Sequence, residues 1–178
     1  MAMTLITTNT SSNAATSDFT SGIDSTYKLY IFKYYDVNPA TDDATFDFQA
    51  NATDSTGYSS TISSTAITAY HYESDSAAVL ADYAADFDQA QGTAFQKLTG
   101  CIGNGWDESC AGELFLFNPS STTYVKHFHA STNIYGGDNH SGTWHIGGYI
   151  NDTTAIDDIQ FKMSSGNMDA VIKMYGVG

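Results

Sequence analysis

Four of the five histidines in this chain fall between Thr123 and Tyr149, in the stretch TYVKHFHASTNIYGGDNHSGTWHIGGY. Imidazole nitrogens ligate zinc and other divalent ions, and two histidines at i and i+2 with a third across a ladder suit that chemistry. Strand alternation puts Tyr124, Lys126 and Phe128 on one face and Val125, His127 and His129 on the other. On TWHIGGYI the apolar set is Trp144, Ile146 and Ile150, which leaves His145 facing the other way with Tyr149. With GGDNHSG as the connection and Phe128 and Trp144 turned to the core, His127, His129 and His145 share one outer face and are the candidate metal ligands. No HExxH or Cys/His knuckle accompanies them, so exposed histidines on a polar strand face are the favoured reading. In a symmetric oligomer such a sparse patch would recur around the axis.

Other chemistry is thinner. Ser141 follows His140 without the strand-turn-helix context that activates a serine. Asp107, Glu108 and Glu113 are close in sequence, as chance alone provides in a chain with twenty acids. The aspartate clusters PATDDATFD and NDTTAIDD suggest calcium, but Asx turns account for both. The glycine pairs at 136–137 and 147–148 fit turns and strand bends, because a phosphate cradle needs a following helix. No catalytic or cofactor-binding residue is assigned, and the expectation is a protein that is not an enzyme and needs no cofactor.

Twenty acidic residues against six lysines and no arginine give a formal net charge of −14. Nucleic-acid binding needs a basic stripe to displace counterions, and forked recognition of phosphate relies on guanidinium, so neither nucleic acid nor an anionic membrane is expected as a partner. MAMTLITTNTSS lacks the pattern of a secretory signal and no run is long and apolar enough to span a bilayer, so folding in a cytosol is expected. In that compartment Cys101 and Cys110 are expected mainly as free thiols, with a short-loop disulfide the alternative.

The elements that must position these residues are strands. Twelve Tyr and ten Phe among many Thr and Ser suit pleated, half-buried surfaces. YKLYIFKYYDV reads as a buried strand and ATFDFQAN as a half-buried one, with Asp47 and Gln49 on the wet side. The pattern continues through GELFLFN, TYVKHFHASTNIY, TWHIGGYIN, IDDIQFKMS and MDAVIKMYGV. A short helical excursion is expected around residues 76–91, where Leu80, Ala84, Phe87 and Gln91 recur at helical steps. A polar loop or arm is expected around residues 9–25. These readings make residues 1–178 one all-β domain, an antiparallel, jelly-roll-like β-sandwich. GELFLFN and YKLYIFKYY are apolar on both faces, so a loop, a helix or a neighbouring subunit must cover the outer side. Leu29, Ile31, Phe115 and Phe117 are the interface candidates.

Three segments carry a wider likeness: FTSGIDSTYKLYIFKYYDVNPATDDATFDFQAN, TAFQKLTGCIGNGWDESCAGELFLFNPSSTTYVKHF and AIDDIQFKMSSGNMDAVIKMYGVG. With its closing IKMYGV the chain resembles, over most of residues 4–178, short β-rich virion surface proteins of marine tailed bacteriophages. The resemblance implies a structural viral protein on the particle surface. The first expectation, since the chain lacks a fibre's long repetitive shaft, is a head decoration (cement) protein, expected as a homotrimer bound to the major capsid protein. The alternative is a tail fibre or spike part that binds host glycans. Either implies a place on the virion surface after folding in the host bacterial cytoplasm. No catalytic residue comes with the resemblance.

Overall fold

The computed structural model describes residues 2–178. Thirteen strands follow in order: β1 (Met3–Ala14), β2 (Thr16–Phe19), β3 (Leu29–Pro39), β4 (Phe46–Ala52), β5 (Ile62–Tyr72), β6 (Ala78–Tyr83), β7 (Ala90–Gly92), β8 (Gln96–Lys97), β9 (Cys110–Phe117), β10 (Lys126–Gly136), β11 (His140–Ile150), β12 (Ile156–Met163) and β13 (Met168–Val177). They form a nine-stranded sheet in the order β1-β13-β3-β9-β10-β11-β5-β6, with β7 also on β5, and a four-stranded sheet in the order β2-β12-β4-β8. Every pairing between strands is antiparallel. The chain passes repeatedly between the two sheets, which gives the jelly-roll-like sandwich.

Alternation decides what lies between the layers. In β10 Lys126, Phe128, Ala130, Thr132 and Ile134 are buried while His127, His129 and Asn133 are exposed. One continuous core joins both sheets. At its centre Phe161 of β12 stacks on Phe46 with centroids 5.5 Å apart and meets Phe32 at 5.5 Å and Phe19 at 6.0 Å. Tyr34 and Phe48 each lie 6.4 Å away. Offset, tilted and edge-on rings add to the large apolar area each buries. Phe32 and Tyr34 belong to the large sheet, so this one side chain ties the layers together.

The Tyr34 hydroxyl and the Lys126 ammonium, both buried, have partners, as burial requires. The Tyr34 hydroxyl bonds the Thr132 hydroxyl across Gly112, where a Cβ would come within 2.3 Å of the Ser131 carbonyl oxygen and 2.9 Å of the Tyr34 ring. The Lys126 ammonium, inaccessible to solvent, donates to the carbonyl oxygens of Asp152 (3.0 Å) and Thr154. Burial holds its pKa below the ordinary lysine value.

The short helical excursion is present as a single 3-10 turn, Ala85–Phe87, between β6 and β7, and two other expectations change. Pairing with β5 outweighs the helical preference of the alanines, and Leu80, expected on a helix's apolar face, is 94 % exposed. The polar segment 9–25 is not a loop throughout: Asn9–Ala14 continues β1, and Thr16–Phe19 is β2 in the other sheet. Its Ser, Thr and Asn side chains sit on a solvated edge strand, so the alternating apolar signal is missing while the pairing with β13 remains. On β4, Asp47 and Gln49 are buried rather than wet. Residues 60 and 93–94 lie over Gln49, whose amide donates to the carbonyl oxygens of Ser60 (3.0 Å), Thr93 (3.2 Å) and Ala94 (2.9 Å).

Because Phe161 packs against rings from both layers, Phe161→Ala is expected to lower the unfolding free energy by about 3–5 kcal/mol. Urea titration followed by tryptophan fluorescence measures the loss.

Candidate functional site

The outer face of the large sheet gathers the residues that the sequence singled out. On β3 and β9, Leu29 pairs with Phe117 and Ile31 with Phe115, so the four interface candidates form a block of two cross-strand pairs. The register extends it in both directions. Tyr175 and Val177 of β13 stand opposite Ile31 and Leu29, and Leu5 and Met3 of β1 stand opposite Tyr175 and Val177. On the other side Phe115 stands opposite His129, which stands opposite Gly147. The result is an apolar, aromatic stripe across β1, β13, β3, β9 and β10.

The apolar side chains of this stripe stand apart from the continuous cluster between the sheets. Met3 and Leu5 are each half exposed, Leu29, Phe115, Phe117, Tyr175 and Val177 are half-buried, and Ile31, hemmed in by its neighbours, is buried. Met3, Leu5, Tyr175 and Val177 escape a reading by segments, because only the long-range order β1-β13-β3 brings them beside Leu29 and Ile31. Both-face apolarity of the terminal strand was the signal available.

Charge is sparse on this face despite the acidic composition. The stripe holds no carboxylate. One step along, Lys173, Lys33, Glu113, Ser131 and His145 form a cross-strand row. Lys33 donates to Glu113 at 2.8 Å, and that hydrogen bond raises the lysine pKa. Lys173 lies 5.6 Å from the centre of the Tyr35 ring.

His127, His129 and His145 are all exposed on this outer face, while Phe128 and Trp144 turn inward. The histidines do not converge. His145 pairs with Ser131 and His127 with Tyr149, and no three His, Cys, Asp or Glu side chains among the described residues are placed to hold a metal ion. Their rings pack instead: His129 stacks on Phe115 at 4.4 Å and 19° and lies 5.6 Å from Phe117, and His127 meets Tyr149 at 6.0 Å. They extend the aromatic stripe toward β11.

The remaining candidates are occupied locally. Ser141 accepts a hydrogen bond from the Asn133 amide at 3.1 Å, and the His140 ring packs near Tyr70 and Tyr72 at 5.9 and 5.3 Å. Glu108 accepts from the Gly105 backbone N–H, bracing its own loop. Asp152 accepts from the Thr154 N–H at 2.7 Å, an Asx turn, and Asp42 accepts from the Asn104 N–H at 3.2 Å. Cys101 and Cys110 are free thiols, exposed and buried respectively, and burial pushes both thiols up from their ordinary pKa. Neither is an activated nucleophile. A surface hollow of about 380 Å³ opens between His71, Tyr135 and Asn133. Asn133 already donates to Ser141, Gly142 and Thr143, and His71 pairs with Asp75 at 3.0 Å.

One titratable group stands out, and its strand pattern hid it. Asp47 is 6 % exposed and stands between Lys162 and Lys97 in register, accepting a hydrogen bond from the Thr45 hydroxyl at 2.7 Å. Burial raises its carboxyl from 3.8 to about 6, against the opposing pull of Thr45 and the two lysines. The folded state therefore holds this proton where the unfolded chain has released it. Stability falls as pH rises from 3.8 to about 6 and stays lower above that window. No family model, curated protein or solved structure matches the chain.

Asp47→Asn keeps an acceptor for Thr45 and removes the buried charge. It is expected to stabilise the fold by about 1–3 kcal/mol at pH 7.5 and to make no difference below pH 3.8. Urea titrations at pH 3.5 and 7.5 check both halves.

Proposed function

We propose that this protein is a non-enzymatic structural component of a bacteriophage virion: a head decoration (cement) protein, homotrimeric, that binds the major capsid protein and stabilises the capsid lattice from outside. The observation that carries this reading is the apolar stripe on the outer face of the large sheet, with Leu29, Ile31, Phe115 and Phe117 at its centre. A contiguous apolar face rimmed by polar residues marks a protein–protein contact. Catalysis needs converging groups with matched proton affinities, whereas this face offers contiguous apolar area and aromatic anchors, as assembly requires.

The acidic remainder of the surface supports the same role. A chain of net charge −14 stays soluble while it folds in a host cytoplasm and associates only where carboxylates are sparse. Three-fold symmetry suits the local three-fold positions of an icosahedral shell.

The alternative, a tail fibre or spike part that binds host glycans, is favoured by one observation. Trp106 is 93 % exposed on a loop, and Tyr124 is 71 % exposed, as sugar-stacking aromatics are. They do not form one platform. The loop bearing Trp106 is bonded to Tyr135 at the end of β10, whereas Tyr124 precedes its start at Lys126.

Mass spectrometry of separated heads and tails is expected to find the chain with heads, in numbers comparable to the capsomers. Phe117→Lys should reduce its recovery on heads at least about tenfold, the effect of losing a central anchor. A few copies confined to tails, with binding on a glycan array, would overturn decoration in favour of attachment.

A further inference from the structure

The large sheet ends on two open edges. At one end β1 runs twelve residues with no charge and no proline, and its only strand partner is β13. At the other end β6 pairs only with β5 and exposes Leu80 (94 %) and Tyr83 (56 %) beside Ile67, which is 48 % exposed and stands opposite Tyr83. An edge strand leaves a row of N–H and C=O groups without partners, and proteins usually guard it with lysine, proline, a bulge or a covering segment. Bulges interrupt β1 between Leu5 and Thr7 and between Ser11 and Ala14, and β6 opposite Thr68 and Tyr70. Between the β1 bulges, Thr7–Ser11 runs in regular register with no charged guard.

Charge decides which edges can meet. β6 carries Asp82, with Asp75, Asp86 and Asp88 nearby in the chain. Two β6 edges would set carboxylates against carboxylates, in a protein that already repels its own copies. Two β1 edges could meet without that repulsion, but Leu80 and Tyr83 would stay in water. β1 against the β6 edge of another copy satisfies the six-residue row of β6 with half of the twelve-residue row of β1, brings together exposed apolar groups from each end and sets an uncharged strand opposite the acidic one.

We propose that copies of this chain associate head to tail, β1 of one adding to the free edge of β6 of the next and continuing its sheet. Main-chain hydrogen bonds supply the contact, as in other cases of strand addition, and Met3, Leu5, Leu80 and Tyr83 supply its apolar part. A heterologous contact of this kind closes into a ring or runs on as a filament. That three copies close the ring rests on the homotrimer proposed above; the edge pairing does not.

Sedimentation velocity on the full chain tests the pairing. The unaltered protein is expected to form one closed species. Thr8→Lys with Thr10→Lys, which guards β1, and Leu80→Lys, which charges β6, should each weaken association at least about tenfold and leave monomers. All three positions are exposed, and an unchanged far-UV circular dichroism spectrum establishes that each variant folds. An equimolar mixture of the two variants retains one native β1 and one native β6 edge, so it should recover a two-copy species. Phe117→Lys should leave the ring intact. A monomeric unaltered protein, an assembly untouched by Leu80→Lys, or a mixture that stays monomeric would overturn head-to-tail pairing. A closed species of two or four copies that both variants dissociate upholds the pairing and overturns three-fold symmetry alone, and location on the tail overturns decoration without touching the junction.

Discussion

Phe161 sits where the two sheets meet, and much of the remaining architecture follows from its packing. Rings from β2, β3 and β4 surround it, so the inner faces of the two sheets fill each other and a single core results. That arrangement consumes one face of each sheet and leaves two outer faces to be managed. On the small sheet the chain covers its own: residues 60 and 93–94 lie over Gln49, and Asp47 is buried between two lysines. On the large sheet Leu29, Phe115 and Phe117 are half-buried among one another and stay outside the core cluster. The asymmetry between a self-covered face and a half-exposed apolar one is the basis of the association proposed above.

Electrostatics sharpens that direction. With twenty acids and no arginine, the surface repels other acidic surfaces almost everywhere, and apolar contact must do what forked ion pairs do elsewhere. The stripe from Met3 to His129 is free of carboxylates, and Glu113 beside it is paired with Lys33. An exposed pair of that kind adds little to stability. In the proposed assembly it keeps Glu113 from facing a partner unpaired. The histidines belong to the same surface: His129 lies flat on Phe115 and widens the aromatic area instead of ligating an ion.

Local pattern made much of this legible. Alternation in TYVKHFHASTNIY and TWHIGGYI placed Phe128 and Trp144 inward and the three histidines outward, because a two-residue period survives whatever the strands pair with. Apolarity on both faces of GELFLFN and YKLYIFKYY marked the open surface for the same reason. What local pattern could not show was pairing over distance. Asn9–Ala14 reads as loop, since a solvated edge strand of Thr, Ser and Asn has no apolar period, and its strand identity comes from β13 more than 150 residues away. Asp47 reads as wet, because the segment that buries it is remote in sequence. SAAVLADYAADFDQ carries helical spacing and alanine preference, yet pairing with β5 leaves only one 3-10 turn.

The proposed role in a virion requires the outer face of the large sheet to be accessible in the isolated chain and covered on the particle. Hydroxyl-radical footprinting of Leu29, Phe115, Phe117 and Tyr175, in the purified protein and on intact virions, tests it most directly. Strong labelling of Phe115, Phe117 and Tyr175 in the free protein, lost on the particle while Trp106 stays labelled, is the result the account predicts. Equal labelling of these side chains in both states would contradict it.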